Sequence, residues 1–217
     1  MPADFKEFWQ NAVSEARKVP LEPEVHDAPE WTNEQIETKL VRLRVGKEKW
    51  MFGYLTRPRD GKKHPVILCP PGAGSTKVFP TDYYALRGYI YMKVEIHDND
   101  PRIDDEEYNK MRQKKCSGYT KRGIENRDTY YYKDVYTGVV RCMDYLCSLP
   151  DWDGRNAIVT GGSQGGALTV VAAALNEKVT ALKVVDITPS SGHWRFMESQ
   201  EKSMKWIDKS VDTSLIQ

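Results

Sequence analysis

Ser163 lies in the run Gly161-Gly162-Ser163-Gln164-Gly165-Gly166. A hydroxyl set among glycines at G-x-S-x-G spacing is the pattern of a nucleophile presented on a tight turn between a strand and a helix. The chemistry it suits is acyl transfer, in which the serine oxygen attacks a carbonyl as a base takes its proton. Glycines fit such a turn because a sharp reversal against the next strand and helix leaves no room for Cβ atoms. The helix start also offers free N–H groups to a developing oxyanion. The rival reading is a glycine-rich turn that binds phosphate or only packs tightly. The Gly-Lys-Ser/Thr helix start of a P-loop is absent.

The flanking residues supply the elements this turn needs. Residues 157–159 are an apolar run that reads as a buried strand, and 167–175 read as a buried helix. Further upstream, Phe5, Phe8, Trp9, Ala12, Val13 and Ala16 recur at helical spacing over 5–19, with Asp4 as N-cap. Residues 20–35 read as a Pro-rich linker that contains His26. Residues 39–45 and 49–57 read as an antiparallel hairpin around Gly46. Residues 65–69 and 89–96 are short buried strands, with a short helix at 83–86 that ends at Gly88. Between them runs the small-residue loop Pro70-Pro71-Gly72-Ala73-Gly74-Ser75-Thr76. A loop of this kind leaving an internal strand resembles the one that gives α/β hydrolases their first oxyanion N–H; the alternative is an ordinary Pro-Gly turn. Residues 99–127 are polar and without periodicity, a long loop expected over the mouth of the site. Residues 128–148 predict an amphipathic helix with Tyr132, Val135, Tyr136, Val139, Met143 and Leu146 on one face. Residues 181–187 predict another buried strand. Strands alternating with helices predict a mostly parallel sheet covered on both faces.

Composition narrows the class. The 217 residues suit one domain, with 1–35 as N-terminal helix and linker and 188–217 as an atypical tail. Lys and Arg total 32 against 31 Asp and Glu, so charge gives no case for nucleic acid or an anionic membrane as partner. No apolar run approaches the roughly 20 residues of a membrane helix. No basic-then-apolar leader opens the chain, which predicts a cytoplasmic protein as written, or a secreted or periplasmic one if a signal preceded it. Cys69, Cys116, Cys142 and Cys147 lack metal-site spacing and read as reduced thiols.

Several segments together resemble one family. Thr129-Tyr130-Tyr131-Tyr132-Lys133, Val139-Val140-Arg141, Pro150 and the Gly-Gly-Ser-Gln-Gly-Gly run are similar to the acetyl xylan esterase/cephalosporin-C deacetylase family, as is the opening Pro2-Ala3-Asp4-Phe5 with Phe8-Trp9. The resemblance spans about residues 2–187. It implies an α/β-hydrolase-like fold and removal of acetyl groups from a small acetylated sugar or other acetyl ester. It makes Ser163 the nucleophile and the N–H of Gln164 one oxyanion donor, the other coming from Gly72 or Ala73. It implies no metal and no organic cofactor.

Two departures stand out. The Arg-Gly-Gln signature of the family is missing after the strand that here runs into Glu95-Ile96-His97-Asp98-Asn99-Asp100. The family also carries its acid and histidine far beyond the serine, whereas this chain ends soon after it. Four histidines are available as base. His26 lies in the linker and His64 at the wrong end of its strand. His97 ends a strand on the correct edge, beside Asp98 and Asp100, which read as a solvated loop. His193 follows Asp186 in hydrolase chain order, Ser163, Asp186, His193, but seven positions apart is not the family's spacing. Three readings stay open: an esterase cut short at its C-terminal edge, a catalytically incomplete binding or assembly module, and a site completed by a second chain. The first is preferred over the other two and over a dienelactone- or peptidase-like hydrolase. A sheet edge left unpaired predicts a homo-oligomer or poor solubility. The apolar stripe of 196–216, which includes Phe196, Met204, Trp206 and Ile207, is expected to cover that edge.

Overall fold

In the computed structural model, residues 2–74 and 77–185 are described. Seven strands form one sheet: β1 (Glu24–Asp27), β2 (Ile36–Arg44), β3 (Trp50–Pro58), β4 (His64–Cys69), β5 (Ile90–Glu95), β6 (Trp152–Gly162) and β7 (Ala181–Val185), in the order β1-β2-β3-β5-β4-β6-β7. The sheet is mixed. β1, β2, β3 and β5 pair antiparallel, and β5, β4, β6 and β7 pair parallel. The hairpin expected at 39–57 is present in β2 and β3.

Period-two alternation sorts the side chains to two faces. Val41, Leu43, Met51 and Leu55 join Val66, Leu68, Met92, Val94, Ala157 and Val159 in one large core. Leu40, Phe52 and Tyr54 point the other way and pack with Ala28 and Val78. Three helices cover the large core: α1 (Phe5–Arg17), α3 (Tyr131–Leu146) and α4 (Gln164–Leu175), with α3 between the other two. Helix α3 buries Val135, Val139, Cys142, Met143 and Leu146, three and four apart. On the opposite face a 3₁₀ turn at Ala85–Arg87 contacts β3, and Tyr84 stacks on Tyr91 with ring centroids 4.6 Å apart.

Several expectations change. Asp4 does not cap α1 with its side chain; the carboxylate pairs with Arg127 at 2.5 Å instead. The linker around His26 contains β1, which pairs with β2 at the sheet edge. Residues 99–127 are not a structureless loop: they contain α2 (Asp105–Cys116) and a 3₁₀ turn at Tyr119–Lys121. Helix α2 has no apolar stripe and buries only Tyr108. Its signals are a cap and charge order: Asp104 accepts from the N–H groups of Glu106 and Glu107, acids fill the first turn, and Lys114 and Lys115 stand in the last. Of the buried strand expected at 181–187, the described part is exposed: in β7, Leu182 is 48% and Val185 50% accessible, because β7 is an edge among the described residues. The four cysteines are free. No helix among the described residues is long and apolar enough to cross a membrane.

Candidate active site

Strand β6 delivers Ser163 to the start of α4 with φ 52° and ψ −124°. That is a left-handed conformation which only glycine adopts without strain, of order 1–3 kcal/mol for other residues. The neighbours explain how the chain turns there. A Cβ on Gly161 would stand 2.6 Å from the backbone of Gly165, and one on Gly165 would stand 2.5 Å from the Pro70 carbonyl oxygen. The glycines therefore let strand, helix and the 70–74 loop close on one another. The Ser163 carbonyl accepts from the N–H groups of Gly166 and Ala167, which leaves the N–H groups of Gln164 and Gly165, in the first turn of α4, without an intrahelical acceptor. Among the described residues the Ser163 hydroxyl makes no hydrogen bond, and the residue is partly exposed.

Gln164 is fully buried. Its Nε2 donates to the carbonyls of Pro71 and Gly72, both at 3.4 Å. Its Oε1 accepts from the Tyr119 hydroxyl at 2.7 Å and the Tyr132 hydroxyl at 2.6 Å. The carbonyls can only accept, so the amide orientation is fixed by its partners. All peptide bonds in this loop are trans, so each N–H points opposite to the C=O of its own unit. With the Pro71 and Gly72 carbonyls turned to Gln164, the N–H groups of Gly72 and Ala73 face away from it. Both residues are exposed.

The segment around α2 packs on this loop. Arg112 Nη1 donates to the Gly74 carbonyl at 3.1 Å. Lys77 Nζ donates to the Ile103 carbonyl at 2.6 Å and pairs with Asp105 at 2.9 Å.

The residues following β5 form a buried polar cluster, not the solvated loop expected around His97. Glu95 and Asn99 are almost completely buried. The Glu95 carboxylate accepts from the backbone N–H of His97 and of Asn99. Burial outweighs these bonds and pushes its pKa up to about 7. Lys49 Nζ lies 3.1 Å from the Tyr131 hydroxyl, and burial lowers its pKa to about 8. His97 Nδ1 lies 2.5 Å from that hydroxyl. Its ring packs edge-on to Tyr119 and stacked with Tyr131, at centroid distances of 4.6 and 5.7 Å. Burial first, then the charges of Lys49 and Arg122, lower the His97 pKa to about 3. A neutral, tightly packed imidazole with one nitrogen committed is no ready proton acceptor. Asp98 turns outward to a two-pronged pair with Arg42, both distances 2.9 Å.

The other imidazoles are placed elsewhere. His64 opens β4 and sits between Asp60 and the Gly88 carbonyl. His26 is exposed on β1. Asp186 and His193 lie outside the described residues, as does the 196–216 stripe. Among the described residues no group of three His, Cys, Asp or Glu could hold a metal ion. The structure thus joins Ser163, Gln164, Gly72 and Ala73 through the Gln164 side chain. It adds Tyr119 and Tyr132, whose part in the site no spacing in the sequence announces.

A strained serine between a parallel strand and a helix, facing a small-residue loop from the adjacent strand, is the site architecture of the α/β hydrolases. The chain belongs to the acetyl xylan esterase (AXE1) family, whose model matches residues 1–202. It is 40% identical over 185 residues to acetyl esterase Axe7A of Xylanibacter ruminicola, covering 83% of this chain and 42% of that protein. It therefore spans less than half the length of this curated relative. Two solved structures share the fold. Acetyl xylan esterase 1 from Thermoanaerobacterium sp. JW/SL YS485 superposes with a TM-score of 0.71 at 17% identity, over 98% of this chain and 70% of that one. The acetyl xylan esterase from Paenibacillus sp. R4 gives 0.71 at 22% identity, over 98% and 71%.

Proposed function

We propose that this chain carries the nucleophile half of a serine O-acetyl esterase that acts on acetylated carbohydrate. The observation that carries the reading is the backbone of Ser163, held at φ 52° on the strand-to-helix turn. A hydroxyl maintained in such strain is supported by its surroundings for a use. Ser163 Oγ attacks the acetyl carbonyl, the sugar alcohol leaves, and water then hydrolyses the acetyl-enzyme. The N–H of Gln164, with that of Gly72 or Ala73, receives the oxyanion. The family membership and the acetyl esterase relative support the acetyl group and the carbohydrate as substrate class.

Among the described residues His26, His64 and His97 are each committed or remote, so the base comes from outside them, either from His193 with Asp186 or from the part of the longer relative that this chain does not span. The test is hydrolysis of p-nitrophenyl acetate and of acetylated xylo-oligosaccharide by the chain, Ser163→Ala and His193→Ala. Ser163→Ala is expected to lose at least about 1000-fold in kcat, because members of such a set act as a unit. Equal rates for the chain and Ser163→Ala would refute the esterase reading. Loss of the Ser163-dependent rate in His193→Ala would identify His193 as the base, and a retained rate would exclude it.

A further inference from the structure

We propose that Tyr119 is a positioning residue, whose hydroxyl holds the 70–74 loop so that its N–H groups face the reacting ester. This rests on the esterase reading of Ser163 and deepens it. Gln164 joins the nucleophile turn to the loop. Its buried amide has two lone pairs and two hydrogens to satisfy, and all four find partners: two tyrosine hydroxyls on oxygen and two loop carbonyls on nitrogen. Loss of one hydroxyl leaves a buried acceptor under-used and frees the amide to turn away from the loop carbonyls.

The two hydroxyls are not equivalent. Tyr132 is part of the core of α3, and its hydroxyl bonds Gln164 and Tyr119 rather than the 70–74 loop. Tyr119 comes from the 3₁₀ turn after α2, entered through Gly118 at φ 63°. Its Oη donates to Gln164 and also receives the N–H of Gly74, in a long contact of 3.5 Å. The Gly74 carbonyl is held by Arg112 of α2. Gly74 has φ 101°, open to glycine and strained for other residues. A glycine that free keeps one orientation only when its neighbours impose it. The α2 segment therefore grips Gly74 on both sides, and Tyr119 links that grip to the residue that follows the nucleophile. The rings of His97 and Tyr131 buttress Tyr119 edge-on, so Tyr119→Phe keeps the packing and deletes only the hydroxyl.

The experiment compares the chain with Tyr119→Phe and Tyr132→Phe. Kinetics are expressed per active site, titrated by the burst of p-nitrophenol, so that misfolded protein does not enter kcat. Tyr119→Phe is expected to lose about 10-fold in kcat with KM within twofold, since a displaced oxyanion donor is missed in the transition state; full removal of a donor loses about 100- to 1000-fold. Hydrogen exchange is followed by mass spectrometry on the peptide spanning 71–78. It should speed up in Tyr119→Phe, and by less in Tyr132→Phe. Unchanged exchange in Tyr119→Phe overturns the proposal. So does faster exchange with an unchanged kcat per site. If the unsubstituted chain shows no Ser163-dependent turnover, the esterase reading fails, and exchange alone decides whether Tyr119 holds the loop.

Discussion

At the scale of single residues, Ser163 is where the chain accepts strain. Its neighbours fit only as glycines, and the serine itself would be more comfortable as one. Ser163→Gly relieves about 1–3 kcal/mol of backbone strain and gives back about 0.5–1 kcal/mol through a freer unfolded chain. The net expectation is a gain of about 1 kcal/mol in urea unfolding, together with loss of esterase activity. A lowered denaturation midpoint would mean that the turn is unstrained. Ser163 was legible because its glycines follow from local geometry, whatever the rest of the fold does. Tyr119 was not, because a lone tyrosine in a charged, aperiodic stretch carries no mark of what it will touch.

At the scale of elements, the end of β5 carries two opposed responses to acid. His97 has its pKa lowered from 6.5 to about 3. Between those values the unfolded chain takes a proton that the folded one refuses, so stability falls as pH drops. Glu95 has its pKa raised from 4.5 to about 7, so the folded state holds a proton first and stability rises as pH drops through that window. The two effects oppose each other from about pH 6.5 to 4.5, and below 4.5 only that of His97 continues. Lys49 titrates higher, at about 8, and stays charged throughout. His97→Gln is therefore expected to flatten the loss of stability between about pH 4.5 and 3, followed by urea midpoints across pH. An identical acid limb in both proteins would show that His97 is not the group responsible. The sequence misled here because Asp98 and Asp100 suggested water. In the fold Arg42 draws Asp98 aside, and Glu95 closes the turn over its own backbone. Helix α2 was missed for the converse reason: periodicity reports burial, and α2 buries almost nothing.

At the scale of the whole molecule, the sheet has two unlike edges among the described residues. β1 is short, exposed and charged, with Glu24 and Asp27 in four residues, which discourages pairing with another chain. β7 carries exposed Leu182 and Val185 beside the strand that holds the nucleophile. Self-association of this chain is expected at tens of micromolar, measured by light scattering, and Leu182→Lys with Val185→Lys should reduce it. A monodisperse monomer before any substitution would count against association through this edge.

By itself, the sequence determined the turn that presents Ser163, the helices with apolar stripes and the hairpin, because each is written in residues close together along the chain. Sterics around glycine and the 3.6 and 2.0 periods act over a few residues, and a reader of the chain can apply them. Only the tertiary structure decided that Gln164 ties the nucleophile turn to the 70–74 loop and that the segment after β5 is buried. It also decided that His97 is too enclosed to serve as a base, and that the last described strand is half open to water. Those outcomes depend on which groups meet across about 30 to 90 positions, and burial, hydrogen-bond satisfaction and pKa are properties of that meeting.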